Sequence, residues 1–136
     1  PNKGPTPVEV YDNLYKNFNP TNFSAREWVT TGKATGMKYV VLTAKHCDGV
    51  ALFDTKYSDL NVVKKTPAGR DLIGPYCEAM RAAGLKTGLY FTHTDWSNDE
   101  MMSVVCDMTL DEVRAARTQK FCFSKRWNDV MARPFE

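Results

Sequence analysis

Two short apolar runs, each broken off by ionisable residues, set the strongest limit on what this chain can fold into. The first is Met37-Lys38-Tyr39-Val40-Val41-Leu42-Thr43-Ala44, followed at once by Lys45-His46-Cys47-Asp48-Gly49. A run of this length with β-branched residues predicts a strand buried on both faces, as in parallel sheets. The second, Leu85 to Thr92, is again mostly apolar and runs into His93-Thr94-Asp95-Trp96. Both histidines of the chain therefore stand just past a predicted strand end. In open α/β sheets and in barrels alike, ligands bind beyond the carboxyl ends of the strands. Lys45, His46, Cys47 and Asp48 thus fall where a site is expected.

The connections are helical and well punctuated. Asp71 to Ala83 reads as a helix with Leu72, Ile73, Tyr76, Cys77 and Met80 on one face. Pro75 is tolerated there because it lies in the first turn, and Gly84 stops the helix. Strand, crossover helix and strand make a βαβ unit, expected to be right-handed with parallel strands. Upstream, Thr6-Pro7-Val8-Glu9 predicts a helix start that carries Tyr11, Leu14, Tyr15 and Phe18 on one apolar face until Asn19-Pro20. Ser24 and Glu27 form a second capping box, Phe23 and Trp28 a hydrophobic staple around it, and Gly36 a C-cap. Glu27 and Trp28 then read as cap and core. Val50 to Gly69 reads as a long loop, a length that tends to be functional. Beyond Ser97 no period is clear until a capping box at Thr109-Leu110-Asp111-Glu112, with one more helix expected over Trp127 to Ala132. Two parallel strands cannot close a sheet, so the expectation is a piece of a larger α/β domain.

Composition excludes several classes. Of 136 residues 43% are hydrophobic and 25% charged, the balance of a globular protein of about one domain. Lys and Arg number 18 against 16 Asp and Glu, which calls for neither nucleic acid nor an anionic membrane surface. No apolar run approaches the roughly 20 residues that span a bilayer, and no signal peptide pattern opens the chain. Because the first residue is Pro1 rather than Met, a start, signal or earlier domain is expected to lie outside the chain. Cys47, Cys77, Cys106 and Cys122 form no Cys-x-x-Cys pair, against a zinc knuckle or thioredoxin-like motif, and the last three read as small buried hydrophobes.

The residues carry a family resemblance. Phe18-Asn19-Pro20, Glu27-Trp28-Val29 and Gly36 to Gly49 resemble the α-L-fucosidases of glycoside hydrolase family 29. The resemblance continues through Ala51 to Lys56, Thr66-Pro67, Arg70-Asp71, Gly84-Leu85-Lys86 and Gly88-Leu89-Tyr90 and ends at Asp95-Trp96, so that residues 97–136 form a poorly matched tail. It implies a (β/α)8 TIM-type barrel, of which this chain would hold about two parallel strands with flanking helices, since a barrel takes about 250 residues. It also implies a retaining mechanism, in which an aspartate attacks the anomeric carbon and a second carboxyl group serves as acid and then base. The family nucleophile lies in a Trp-x-Asp-Gly motif on a later strand and the acid/base later still; this sequence contains neither, so no catalytic residue is expected in it. Asp48-Gly49 belongs to the earlier His-His-Asp-Gly motif instead.

What the resemblance carries over is sugar recognition. His46 matches the first histidine of that motif, which hydrogen-bonds hydroxyls of fucose, and imidazole suits the task because one nitrogen donates and the other accepts. Cys47 stands where the family usually has a second histidine, and a thiol cannot replace an imidazole contact. Val50 replaces a usual aromatic. Tyr90, Phe91 and His93 lie where the family supplies an aromatic contact, without fixing which of them matches. Trp96 suits a sugar-stacking platform and a rim packing residue equally. Asp48 and Arg70-Asp71 read as structural. The resemblance implies a fucosylated glycan as partner, no cofactor, no metal, and a secreted, periplasmic or lysosomal location; the oligomeric state stays open. Two other functions fit the residues: a non-catalytic carbohydrate-binding remnant, and a metal-dependent hydrolase using His46, Asp48, His93 and Asp95.

Overall fold

The computed structural model describes residues 6–98 together with 109 and 111. Cys106, Cys122 and the helix expected over Trp127 to Ala132 lie outside the described residues, as do Leu110 and Glu112 of the capping box at Thr109. In chain order the elements are α1 (Val8–Tyr11), a 3-10 turn (Leu14–Asn17), α2 (Ala25–Ala34), β1 (Tyr39–Lys45), α3 (Val62–Lys65), α4 (Ile73–Ala82) and β2 (Lys86–Phe91). The strands pair in parallel, from Tyr39 opposite Lys86 to Thr43 opposite Tyr90, with a register irregularity before Lys45 meets Phe91. The described residues are thus α/β, two parallel strands with flanking helices.

Local chemistry sets the helix ends. The Ser24 hydroxyl accepts the Glu27 amide at 3.3 Å and the Phe23 and Trp28 rings meet edge-on with centroids 5.0 Å apart. At the other end Gly36 takes φ 82°, which lets Met37 N–H reach the Gly32 carbonyl at 3.1 Å and Gly36 N–H reach Lys33 at 3.0 Å. Helix α4 starts on Asp71, whose Oδ1 accepts the amides of Ile73 at 2.7 Å and Gly74 at 3.0 Å. Pro75, third in the helix, has no amide to satisfy there. Arg70 does not pair with Asp71: its Nη2 donates to the Pro20 carbonyl at 3.1 Å.

Helices α2 and α4 enclose the core of Val29, Tyr76 and Met80, against which Val40 and Leu42 of β1, Cys77 of α4 and Leu85 pack. The buried Tyr76 hydroxyl donates to the Val40 carbonyl at 2.8 Å, fastening the crossover helix to the strand. Burial, seconded by the nearby Cys77, pushes the Tyr76 phenol up from its ordinary pKa.

Four sequence expectations change here. First, the strands are not covered on both faces: Tyr39 and Val41 of β1 are 65% and 55% exposed, and Leu89 of β2 is 47% exposed. Only the face carrying Val40, Leu42 and Ala44 packs inward, because two helices can cover one side of a two-stranded sheet. Second, the first helix breaks after Tyr11. The Asn13 side chain donates to the Glu9 carbonyl at 2.6 Å, and the Asn13 amide turns back to Val10 at 3.2 Å, so the run resumes as a 3-10 turn. Third, Trp28 is 54% exposed and braces Phe23 rather than filling the core. Fourth, the long loop contains α3. Fully buried Asn61 caps it by accepting the Val63 and Lys64 amides at 3.1 and 3.0 Å, while its amide group donates to the Ser58 carbonyl at 2.8 Å.

Candidate functional site

The residues past β1 form a tight turn. Gly49 N–H bonds the His46 carbonyl at 3.1 Å, the Asp48 carboxylate accepts the Val50 amide at 3.1 Å, and Gly49 takes φ 91°. A β-carbon at Gly49 would strike the Asp95 carboxylate and the Ser97 side chain, so the two strand-end loops touch where only glycine fits.

Further bonds lace these loops together. Thr92 N–H reaches the Lys45 carbonyl at 3.0 Å and Trp96 N–H the Cys47 carbonyl at 2.7 Å. Lys45 pairs with Asp95 at 3.1 Å, with 10% and 14% of the two side chains exposed, and its ammonium lies 5.5 Å from the Phe91 ring centroid. Asp95 in turn accepts the Ser97 amide at 2.9 Å. Lys45, placed by sequence among the candidate site residues, therefore serves as a strut between strand ends.

His46 stays exposed on this frame. Its ring stacks on Tyr90 with centroids 5.6 Å apart and planes 25° apart, and its Nδ1 lies 3.0 Å from the Cys47 sulfur. Burial, then the Asp48 charge, push the Cys47 thiol up from its ordinary pKa. A thiol that keeps its proton at neutral pH can donate it to Nδ1. A neutral His46 ring then carries its own proton on Nε2, free to donate to a ligand hydroxyl.

The same shift predicts slow chemistry at Cys47. Because the raised pKa leaves less thiolate at a given pH, alkylation by iodoacetamide at pH 7.5 should run below the rate of free cysteine and climb as pH rises toward the thiol's pKa. Peptide mass spectrometry across pH 6.5 to 9.5 reads this; a rate equal to free cysteine would contradict it.

A groove of about 600 Å³ opens beside His46, between the strand end and the N-terminal helical segment. Tyr11, Leu14, Tyr15 and Phe18 line one wall; Asp48 and Val50 contribute to the other. Burial, then the Asp48 and Cys47 charges, push the Tyr11 phenol up. The helical spacing of those four residues predicted an apolar face; it did not show that the face would look onto the site.

The structure thus brings together His46, Cys47 and Tyr90. Phe91 lies apart, under Lys45 and edge-on to His93 at 5.6 Å. Trp96 is half-buried and is joined to Cys47 by main chain; neither it nor Tyr90 nor Phe91 lines the groove. The metal-binding alternative does not assemble. Asp95 is engaged by Lys45, His93 faces Phe91, and among the described residues no three His, Cys, Asp or Glu side chains are grouped to hold an ion.

A parallel βαβ unit that gathers an imidazole, a thiol, a carboxylate and a tyrosine at the carboxyl ends of its strands defines an α/β domain of the kind whose ligands bind at that end. Comparison with known proteins narrows the class. The sequence model of the alpha-L-fucosidase family matches residues 5–132. The chain is 38% identical over 81 residues to Alpha-L-fucosidase 1 of Arabidopsis thaliana, covering 57% of this chain and 16% of that protein. It is 32% identical over 116 residues to human Tissue alpha-L-fucosidase, covering 82% and 23%. Among solved structures, alpha-L-fucosidase isoenzyme 1 from Paenibacillus thiaminolyticus superposes with a TM-score of 0.64 at 47% identity, over 68% of this chain and 22% of that one. The enzyme from Vibrio sp. strain EJY3 superposes with a TM-score of 0.68 at 28% identity, over 93% and 22%. The chain belongs to the alpha-L-fucosidase family, of glycoside hydrolases. It spans 16% and 23% of the length of these two curated relatives.

Proposed function

We propose that this chain is the sugar-recognising portion of a retaining α-L-fucosidase barrel, with the nucleophile and acid/base supplied by sequence outside it. One observation carries the reading: in a member of this family, an exposed imidazole stands stacked on Tyr90 at the carboxyl end of a parallel strand pair. His46 donates from Nε2 to a fucose hydroxyl, Cys47 fixes the ring through Nδ1, and Tyr90 holds its plane. Phe91 and Trp96 support the rim. The partner is a fucosylated glycan, and a secreted, periplasmic or lysosomal location accompanies this reading. Among the described residues no helix is long and apolar enough to cross a membrane.

Binding of a fucose-configured iminosugar, measured by calorimetry, tests the assignment. His46→Ala should weaken binding by about tenfold, the loss of one ligand hydrogen bond. Cys47→His should strengthen it if the thiol stands where an imidazole contact is missing. Equal dissociation constants for the chain and both variants would remove these positions from the site. Cys47 also favours a second reading, a carbohydrate-binding remnant without catalysis, which predicts retained fucose binding with no hydrolysis in any longer form of the chain.

A further inference from the structure

Resting on the fucosidase reading, we propose that Asp95 is a positioning residue for the His46 sugar contact: the loop after β2 grips the chain on both sides of His46 and so fixes where the imidazole stands. The residue before His46 is Lys45, whose carbonyl accepts the Thr92 amide at 3.0 Å and whose ammonium meets Asp95 Oδ2 at 3.1 Å. The residue after it is Cys47, whose carbonyl accepts the Trp96 amide at 2.7 Å. Asp95 and Trp96 are neighbours, so one short stretch of the second loop holds both flanks of His46. Farther along the same turn, Gly49 N–H bonds the His46 carbonyl at 3.1 Å, and Gly49 lies so near the Asp95 carboxylate and the Ser97 side chain that a β-carbon would strike both.

The two oxygens of Asp95 have separate tasks. Oδ1 accepts the Ser97 amide at 2.9 Å, which shapes the second loop, while Oδ2 takes the Lys45 ammonium from the first. Both side chains of that pair are mostly withdrawn from water, so the joint stays tight where an exposed ion pair would slacken. The His46 ring has the opposite character: it is exposed, stacked on Tyr90 and 3.0 Å from the Cys47 sulfur through Nδ1. A side chain that water reaches is not locked by packing, so its place follows from the backbone beneath it and from those few contacts. Hydrogen bonds to a ligand weaken steeply with distance and angle, and a loosened turn therefore costs affinity even with every contact group still present.

The test is a double-mutant cycle between Asp95 and His46, read as calorimetric binding of the fucose-configured iminosugar to the 136-residue chain. Asp95→Asn, which keeps the size of the side chain, should weaken binding by about five- to tenfold and no more than His46→Ala does, because a misplaced ring forfeits at most what a deleted one forfeits. In the His46→Ala background, Asp95→Asn should then change the dissociation constant by less than about twofold. Lys45→Met/Asp95→Asn, which strands no charge, should repeat both results, with circular dichroism reading the fold of each variant. Gly49→Ala leaves every charge in place and pushes the loops apart from the other side, so it should weaken binding as Asp95→Asn does. Asp59→Asn, which breaks the exposed pair with Lys64, should leave binding within about twofold. Losses at Asp95 and His46 that multiply in the combined variant would show Asp95 acting on the ligand or the fold directly, and would overturn the proposal. Unchanged affinity in a folded Asp95→Asn chain, or in folded Lys45→Met/Asp95→Asn, would overturn it too. No binding by the parent chain would instead defeat the fucosidase reading, and the positioning role with it.

Discussion

On the proposed fucosidase reading, hydrolysis of a chromogenic α-L-fucoside is expected from this chain only when it is joined to the further strands of a complete barrel. Retaining hydrolysis requires two carboxyl groups about 5 Å apart, one to attack the anomeric carbon and one to protonate the leaving oxygen. The carboxylates at the described strand ends are committed elsewhere. Asp48 accepts the Val50 amide and shapes its own turn, while Asp95 is held by Lys45 and the Ser97 amide. The 136-residue chain should therefore show no turnover above buffer, whereas a form extended through a Trp-x-Asp-Gly segment and on past the later acid/base should show the millionfold or greater acceleration ordinary for enzymes. A continuous assay of nitrophenolate release compares the two. Turnover by the short chain would place a nucleophile among its own residues. No turnover in either form, with fucose still bound, would favour the non-catalytic reading.

What the sequence made legible was local. The Ser24 cap, the Phe23–Trp28 staple and the glycines that end α2 and α4 each depend on a few neighbouring residues, and each stands where the pattern put it. The parallel strand pair followed from apolar runs separated by an amphipathic crossover, and His46 beyond the first strand followed from the abrupt change of character there. What escaped was set by partners distant in the chain. Tyr39, Val41 and Leu89 have the composition of strands covered on both sides, yet coverage depends on elements that no strand encodes. The 3.6-residue period runs unbroken from Tyr11 to Phe18, and the Asn13 side chain interrupts it by taking a carbonyl that the helix would use. Asn61 sits in a polar stretch that reads as loop, but it is buried because its side chain satisfies four backbone groups at once. Lys45 and Asp95 lie in separate motifs, and their pairing appears only when β1 and β2 stand side by side.

Lys45→Met should cost about 3–5 kcal/mol of stability at pH 7, the range for removing one partner of a buried ion pair. The large figure applies because both side chains are mostly withdrawn from water, 10% and 14% exposed, so solvent cannot replace the lost ammonium. Methionine keeps the length and apolar stem of lysine, so packing near Phe91 survives and the charge is what changes. The stranded Asp95 carboxylate would then face the Thr92 carbonyl, which the ammonium now contacts at 3.4 Å, and the strand-end loops would part around Gly49. Adding Asp95→Asn should recover part of the loss, since the amide keeps the size of the carboxylate and removes the unpaired charge. Urea denaturation followed by circular dichroism, run as a double-mutant cycle, measures the coupling directly. A coupling below about 1 kcal/mol would show that the pair behaves as a surface contact. A full loss that Asp95→Asn does not relieve would show instead that Lys45 acts through the Thr92 carbonyl and the Phe91 ring, with Asp95 incidental to the joint between the strands.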